Sequence, residues 1–97
     1  MANYRLSGDA EADVRRLYRH GIENFGLARA DGYFSGLFAR FDQLAEQPHL
    51  SPAVDEIRAG YRRSVYGIHS IYYRVFDGRV DIMRILGRED PSMLISP

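Results

Sequence analysis

Apolar residues recur every three or four positions in this chain as far as Gln47, and every second position after Ala53. A single change of period, from 3.6 to 2, calls for helices in the first half and strands in the second. At 97 residues there is material for one hydrophobic core. The expectation is therefore a single domain over 1–97 in which a helical layer packs on a sheet, an α+β fold.

The helical half starts behind a short strand. Tyr4, Arg5 and Leu6 alternate and stop at Ser7-Gly8. Ser7 is a good N-cap, and Asp9 and Glu11 fall where the positive end of a helix dipole favours carboxylates. Ala10, Val14, Leu17, Tyr18, Ile22 and Phe25 then form one helical stripe, and Gly26 reads as its stop. A second stripe of Ala30, Tyr33, Phe34, Leu37, Phe38, Phe41, Leu44 and Ala45 predicts a helix over about 27–47, ended by Pro48. Gly32 and Gly36 inside it each cost about 1 kcal/mol relative to Ala. Either another backbone comes close on that side or the glycines are simply tolerated. Joined at Phe25-Gly26-Leu27, the two helices make an antiparallel hairpin.

After the loop Pro48-His-Leu-Ser-Pro-Ala53 the alternation predicts strands over about 57–65, 68–76 and 79–86, the first pair turning at Tyr66-Gly67. Asp77-Gly78 is the strongest short hairpin signal, a type I′ turn. It sets Val75 opposite Val80, Tyr73 opposite Ile82 and Ile71 opposite Arg84 on one face, with Arg74–Asp81 and Tyr72–Met83 on the other. The order is β-α-α-β-β-β: an antiparallel sheet, joined by the first strand, with the helical hairpin packed on the face of Ile71, Tyr73, Val75, Val80 and Ile82. The face of Tyr72, Arg74, Phe76, Asp81 and Met83 is left without a third layer, and a half-aromatic uncovered face fits a partner. In the tail, Pro91 can start a helical turn, or Met93-Leu94-Ile95 can cover a sheet edge.

Composition narrows the function. Thirteen basic residues balance thirteen acidic ones, every basic residue is Arg, and there is no Cys. Disulfides and Cys-ligated zinc are excluded. Zero net charge argues against broad electrostatic binding to nucleic acid, though not against a local Arg patch. No apolar run approaches the roughly 18 residues of a membrane span, and the N-terminus lacks a signal-peptide core. No membrane contact is expected. His20, His49 and His69 are isolated, without metal-ligand spacing, and there is no strained nucleophile elbow and no phosphate-binding Gly-rich loop. No metal and no cofactor are expected.

The densest polar constellation is Arg58, Tyr61, Arg62 and Arg63, near Tyr72 and Arg74. It admits three readings: structural pairing with Asp55, Glu56 or helix carboxylates, binding of a protein partner, or binding of phosphates and bases. Acid–base cleavage of RNA also needs a proton donor near the leaving oxygen, and after Ile85-Leu86 the chain reads Gly87-Arg-Glu-Asp90, with no His, Lys or Tyr.

Several pieces in order, Tyr4-Arg-Leu-Ser7 with Ala10-Glu-Ala-Asp13, then Tyr33, Leu37-Phe38 and Leu44-Ala-Glu-Gln-Pro48, then Ile57-Arg-Ala-Gly-Tyr-Arg-Arg63, His69-Ser-Ile-Tyr-Tyr-Arg-Val75 and Val80-Asp-Ile-Met-Arg-Ile-Leu86, resemble the ParE toxins of type II toxin–antitoxin modules, in the RelE/ParE superfamily. The match runs over about residues 3–90. The resemblance implies the β-α-α-β-β-β fold and a bacterial cytoplasmic toxin that poisons DNA gyrase without being an enzyme. It implies a ParD-like ribbon-helix-helix antitoxin as partner, with operator DNA reached only through that antitoxin. Antitoxin contacts are then expected at Tyr18, Ile22, Tyr33, Leu37 and Leu44 on the hairpin and at Arg58, Tyr61, Arg62, Tyr72 and Arg74 in the Arg/Tyr patch. The alternative within the superfamily is a RelE-like ribosome-dependent mRNA endoribonuclease, with Arg62 and Arg74 on phosphate and Tyr72 or Tyr61 orienting the 2′-hydroxyl. Many ParE relatives have His where Gly87 stands, in a C-terminal region linked with toxicity.

Overall fold

Ser7 opens the helical layer as its side chain predicts. Its Oγ accepts the Ala10 N–H at 3.0 Å and donates to the Met83 carbonyl at 2.9 Å, so one hydroxyl caps a helix and pins it to the sheet. The computed structural model describes residues 4–87. It contains β1 (Tyr4–Leu6), α1 (Gly8–Phe25), α2 (Leu27–Glu46), β2 (Arg62–Tyr66), β3 (His69–Phe76) and β4 (Arg79–Leu86). The expected tail contacts of Pro91, Met93, Leu94 and Ile95 lie outside the described residues. Gly26 ends α1 at φ 88°, its N–H bonded to the Ile22 carbonyl, and α2 returns antiparallel. No helix among the described residues is long and apolar enough to cross a membrane.

The strands lie in the order β1-β4-β3-β2. β1 runs parallel to β4, with Arg5 beside Asp81, so the sheet is mixed and not wholly antiparallel as expected. The Asp77-Gly78 turn has both residues at positive φ, 52° and 74°, as a type I′ hairpin requires, and Val75–Val80, Arg74–Asp81 and Tyr73–Ile82 pair as predicted. The register then shifts between Tyr72 and Tyr73: Tyr72 pairs with Arg84 and Ile71 with Ile85. The expected Ile71–Arg84 and Tyr72–Met83 pairs are thereby corrected. A bulge at Met83 carries one extra residue. It puts Ile85, not a guanidinium, into the core, and frees Arg84 to reach Asp13 on α1.

That contact is the polar staple of the fold. Asp13 is buried and receives Arg84 Nε at 2.8 Å, Arg84 Nη2 at 3.1 Å and the Ile85 N–H at 2.9 Å. Around it Leu37, Phe41, Ile71, Tyr73, Ile82 and Ile85 are fully buried between helices and sheet, each of the aliphatic side chains worth about 1.5–3 kcal/mol of burial. The Tyr73 hydroxyl donates to the Pro48 carbonyl at 2.7 Å.

Two further expectations are corrected. The strand read over 57–65 begins only at Arg62. Residues ahead of it turn, because Gly60 takes φ 84° and its N–H bonds to Asp55 Oδ1 at 2.8 Å. The apolar residues of that turn, Val54, Ile57 and Tyr61, fold onto Tyr72, Met83 and Leu86. Among the described residues the sheet face away from the helices is therefore covered at one end by this turn and open at the other.

Candidate functional site

Three of the predicted contact residues are half-buried in the helical layer: Tyr18 and Ile22 on α1 and Tyr33 on α2. The Tyr18 hydroxyl donates to Asp31 Oδ1, and that hydrogen bond, ahead of burial, raises the phenol above its ordinary value. Tyr33 and Tyr66 lock the end of the hairpin to the β2–β3 turn, each donating to the other's backbone carbonyl, at 3.0 and 3.2 Å. His69 Nδ1 lies 2.7 Å from Tyr33 Oη. Burial is the main cause that pushes the Tyr33 phenol up.

Glycine makes this closure possible. A Cβ on Gly36 would overlap the Tyr66 hydroxyl, and one on Gly67, already at φ 58°, would overlap Tyr33. The close approach expected at the helical glycines is thus real at Gly36, from a side chain and not a backbone, whereas Gly32 has open space.

Between the hairpin and the β2–β3 turn lies a groove of about 370 Å³, lined by Leu17, His20, Gly21, Phe25, Arg29, Ala30, Tyr33, Phe34, Ile68 and His69. Its walls are mostly apolar, and its rim exposes Phe25 (60%) and Ile68 (66%), with Leu27 exposed close by in sequence. Large apolar side chains gathered at a groove mouth are the signature of a docking surface. A wider depression of about 650 Å³ beside Asp31, Phe34, Phe38 and Asp42 is polar-edged and open.

The remaining predicted residues do not form one patch. Leu37 and Leu44 are core, and Tyr61 and Tyr72 are buried against each other where the 54–61 turn folds onto the sheet. These four present no surface to a partner and are corrected to internal packing. Arg58 stacks over the Tyr61 ring at 5.3 Å. Arg62 is opposite Tyr73 on the helix side of the sheet, and its Nη1 donates to the Ser51 carbonyl at 2.6 Å. Arg63 is the residue opposite Tyr72. Arg74 lies on the far face, its Nε 3.6 Å from Asp81 Oδ2. The set drawn for RNA cleavage is consequently not assembled: its two arginines lie on opposite faces and its two tyrosines are buried. Periodicity placed Phe25 in the apolar stripe of the first helix and Ile68 at the start of a strand, and marked neither as a groove residue. The available signal was their place beside the turn glycines Gly26 and Gly67, where polar residues are the norm.

Comparison with known proteins follows this geometry. Residues 4–91 match the family model for the ParE toxin of type II toxin–antitoxin system, parDE. The chain is 37% identical over 86 residues to Toxin ParE1 of Caulobacter vibrioides, covering 89% of this chain and 88% of the relative. It is 34% identical over 86 residues to Toxin ParE1 of Mycobacterium tuberculosis, covering 88% of each. Among solved structures, a chain of the chromosomal ParDE TA system from P. aeruginosa shares the fold, with a TM-score of 0.79 at 20% identity, over 92% of this chain and 98% of that one.

Proposed function

Because the chain belongs to the ParE toxins of type II toxin–antitoxin systems, we propose that it inhibits DNA gyrase in the cytoplasm and is neutralised by a ParD-like antitoxin. The observation that carries the antitoxin half is the preformed groove with Phe25 and Ile68 exposed on its rim. An amphipathic segment of the antitoxin, helical or extended, lays its apolar side chains there, the helix-in-groove mode of recognition being the simplest fit. Of the residues expected at the antitoxin contact, Tyr33 lines this groove together with Phe25 and Ile68. Operator DNA is reached through the antitoxin. The gyrase half rests on the family, whose members act on that target, and is favoured over the ribonuclease reading by the scattered Arg and Tyr set.

A supercoiling assay tests the proposal. Purified toxin added to gyrase and relaxed plasmid should suppress supercoiling, and the cognate antitoxin should restore it. Full supercoiling at molar excess of a folded toxin would overturn the gyrase half, and failure of the antitoxin to bind would overturn the other.

A further inference from the structure

The open end of the far sheet face carries a built cluster. Strand register puts three arginines around one carboxylate: Arg5 beside Asp81 across the β1–β4 pair, Arg74 opposite it across β3–β4, and Arg79 two residues ahead on β4. Asp81 is 3% exposed. The Nε atoms of Arg79, Arg74 and Arg5 lie 3.1, 3.6 and 3.7 Å from its carboxylate oxygens. Only the Arg79 contact is a hydrogen bond, and Asp81 Oδ2 accepts none among the described residues.

Three guanidiniums against one carboxylate leave two positive charges in excess at a single point of a chain whose net charge is zero. Each of the three ion pairs with Asp81 is made through Nε, the one guanidinium nitrogen that lies on the side-chain stem and not at the tip of the fork. Asp81 thus orients the forks without consuming them, and it offsets the repulsion that would drive three like charges apart. Phe76 sits beside them, 56% exposed, with the Arg74 guanidinium 5.6 Å from its ring centroid.

We propose that this cluster is a phosphate-binding site whose occupant is the sugar–phosphate backbone of DNA, held by Arg5, Arg74 and Arg79 while the Phe76 ring takes a neighbouring base. Converging forks suit a phosphate, which offers several acceptor oxygens around one centre, better than the two oxygens of a carboxylate. An exposed aromatic next to arginine is a stacking platform for unpaired bases. The site lies on the opposite face of the sheet from the groove assigned to the antitoxin. It rests on the gyrase reading only for where the toxin meets DNA, which is the DNA bound and cut by that enzyme. With no net positive charge on the chain, binding by the toxin alone is weak and salt-sensitive.

Fluorescence anisotropy with the full-length toxin and a labelled single-stranded oligonucleotide at low salt tests the site. Wild type should bind, with an affinity that falls as salt rises. Arg5→Gln removes a largely exposed arginine and leaves Arg74 and Arg79 on Asp81, so the fold is kept; it should bind about fivefold more weakly and with a salt slope shallower by about 0.7. Arg74→Lys keeps the charge and loses the fork, and it too should weaken binding. Unchanged binding in both folded variants would overturn the proposal, as would tighter binding of an oligoglutamate peptide than of the oligonucleotide, which would make the occupant an acidic protein segment. The assay contains no gyrase, so the two readings fail separately. A toxin that inhibits supercoiling but does not bind the oligonucleotide sinks the phosphate site alone. A toxin that binds it with the predicted sensitivity yet spares gyrase sinks the gyrase reading alone.

Discussion

Asp13 shows how much one residue holds in a chain this small. Its carboxylate takes hydrogen bonds from Arg84, Arg16 and the Ile85 backbone while almost fully buried. Removing one partner of such a pair leaves the other charge uncompensated. Asp13→Ala should therefore cost about 3–5 kcal/mol in urea denaturation, a large share of the stability of a domain this size. The two helical glycines make a paired prediction. Gly32→Ala meets open space and should stabilise by up to about 1 kcal/mol. Gly36→Ala, with the same gain in helix propensity, pushes the Tyr66 hydroxyl off the Tyr33 carbonyl and should destabilise by about 1–2 kcal/mol. Thermal melts of the two variants should shift in opposite directions.

Tyr33 adds a pH dependence. Its pKa in the folded state is raised above the ordinary phenol value of 10.0, chiefly by burial. Across that window the folded protein holds a proton that the unfolded chain has released, so stability falls with rising pH. The contribution is fully present below about pH 10 and is lost as pH rises through the raised value. Denaturation midpoints taken across alkaline pH should decline accordingly, and Tyr33→Phe should flatten that decline.

At the scale of elements, what could be read ahead of the structure was whatever is decided locally. The Ser7 cap, the Gly26 stop and the Asp77-Gly78 turn depend on neighbours a few residues away, and all three formed as read. What could not be read is decided by packing. The bulge at Met83 exists because strict alternation would bury Arg84 opposite Ile71; that charge on an apolar face was itself a warning in the sequence. The 54–61 turn alternates like a strand, yet Gly60 and the Asp55 side chain divert it, and its apolar residues serve a second small core. The Arg/Tyr patch failed for a related reason. Strand phase separates Arg62 from Arg63, and a shift of one residue exchanges the faces. The groove formed by the hairpin and the β2–β3 turn yields the prediction at this scale. Ile68→Glu places a charge on an exposed rim residue, so the fold should stand while antitoxin affinity drops at least about tenfold, measurable by calorimetry with the purified antitoxin.

The whole molecule presents its surfaces on opposite sides of one sheet: an apolar groove beside the helices and a cationic cluster on the far face. Net neutrality therefore conceals a local cationic cluster, Arg5, Arg74 and Arg79 around Asp81. On the assignments proposed above the antitoxin surface and the DNA-binding surface are separate, so single substitutions should damage one function and spare the other. Family membership accounts for the fold and the toxin–antitoxin setting, and the geometry supplies the division of labour proposed within it. The measurement that tests the account most directly is a gyrase supercoiling assay run with wild type and Ile68→Glu, each with and without antitoxin. The account predicts that both forms suppress supercoiling and that equimolar antitoxin rescues the enzyme from wild type but not from Ile68→Glu. Undiminished supercoiling at molar excess of folded wild-type toxin would contradict it.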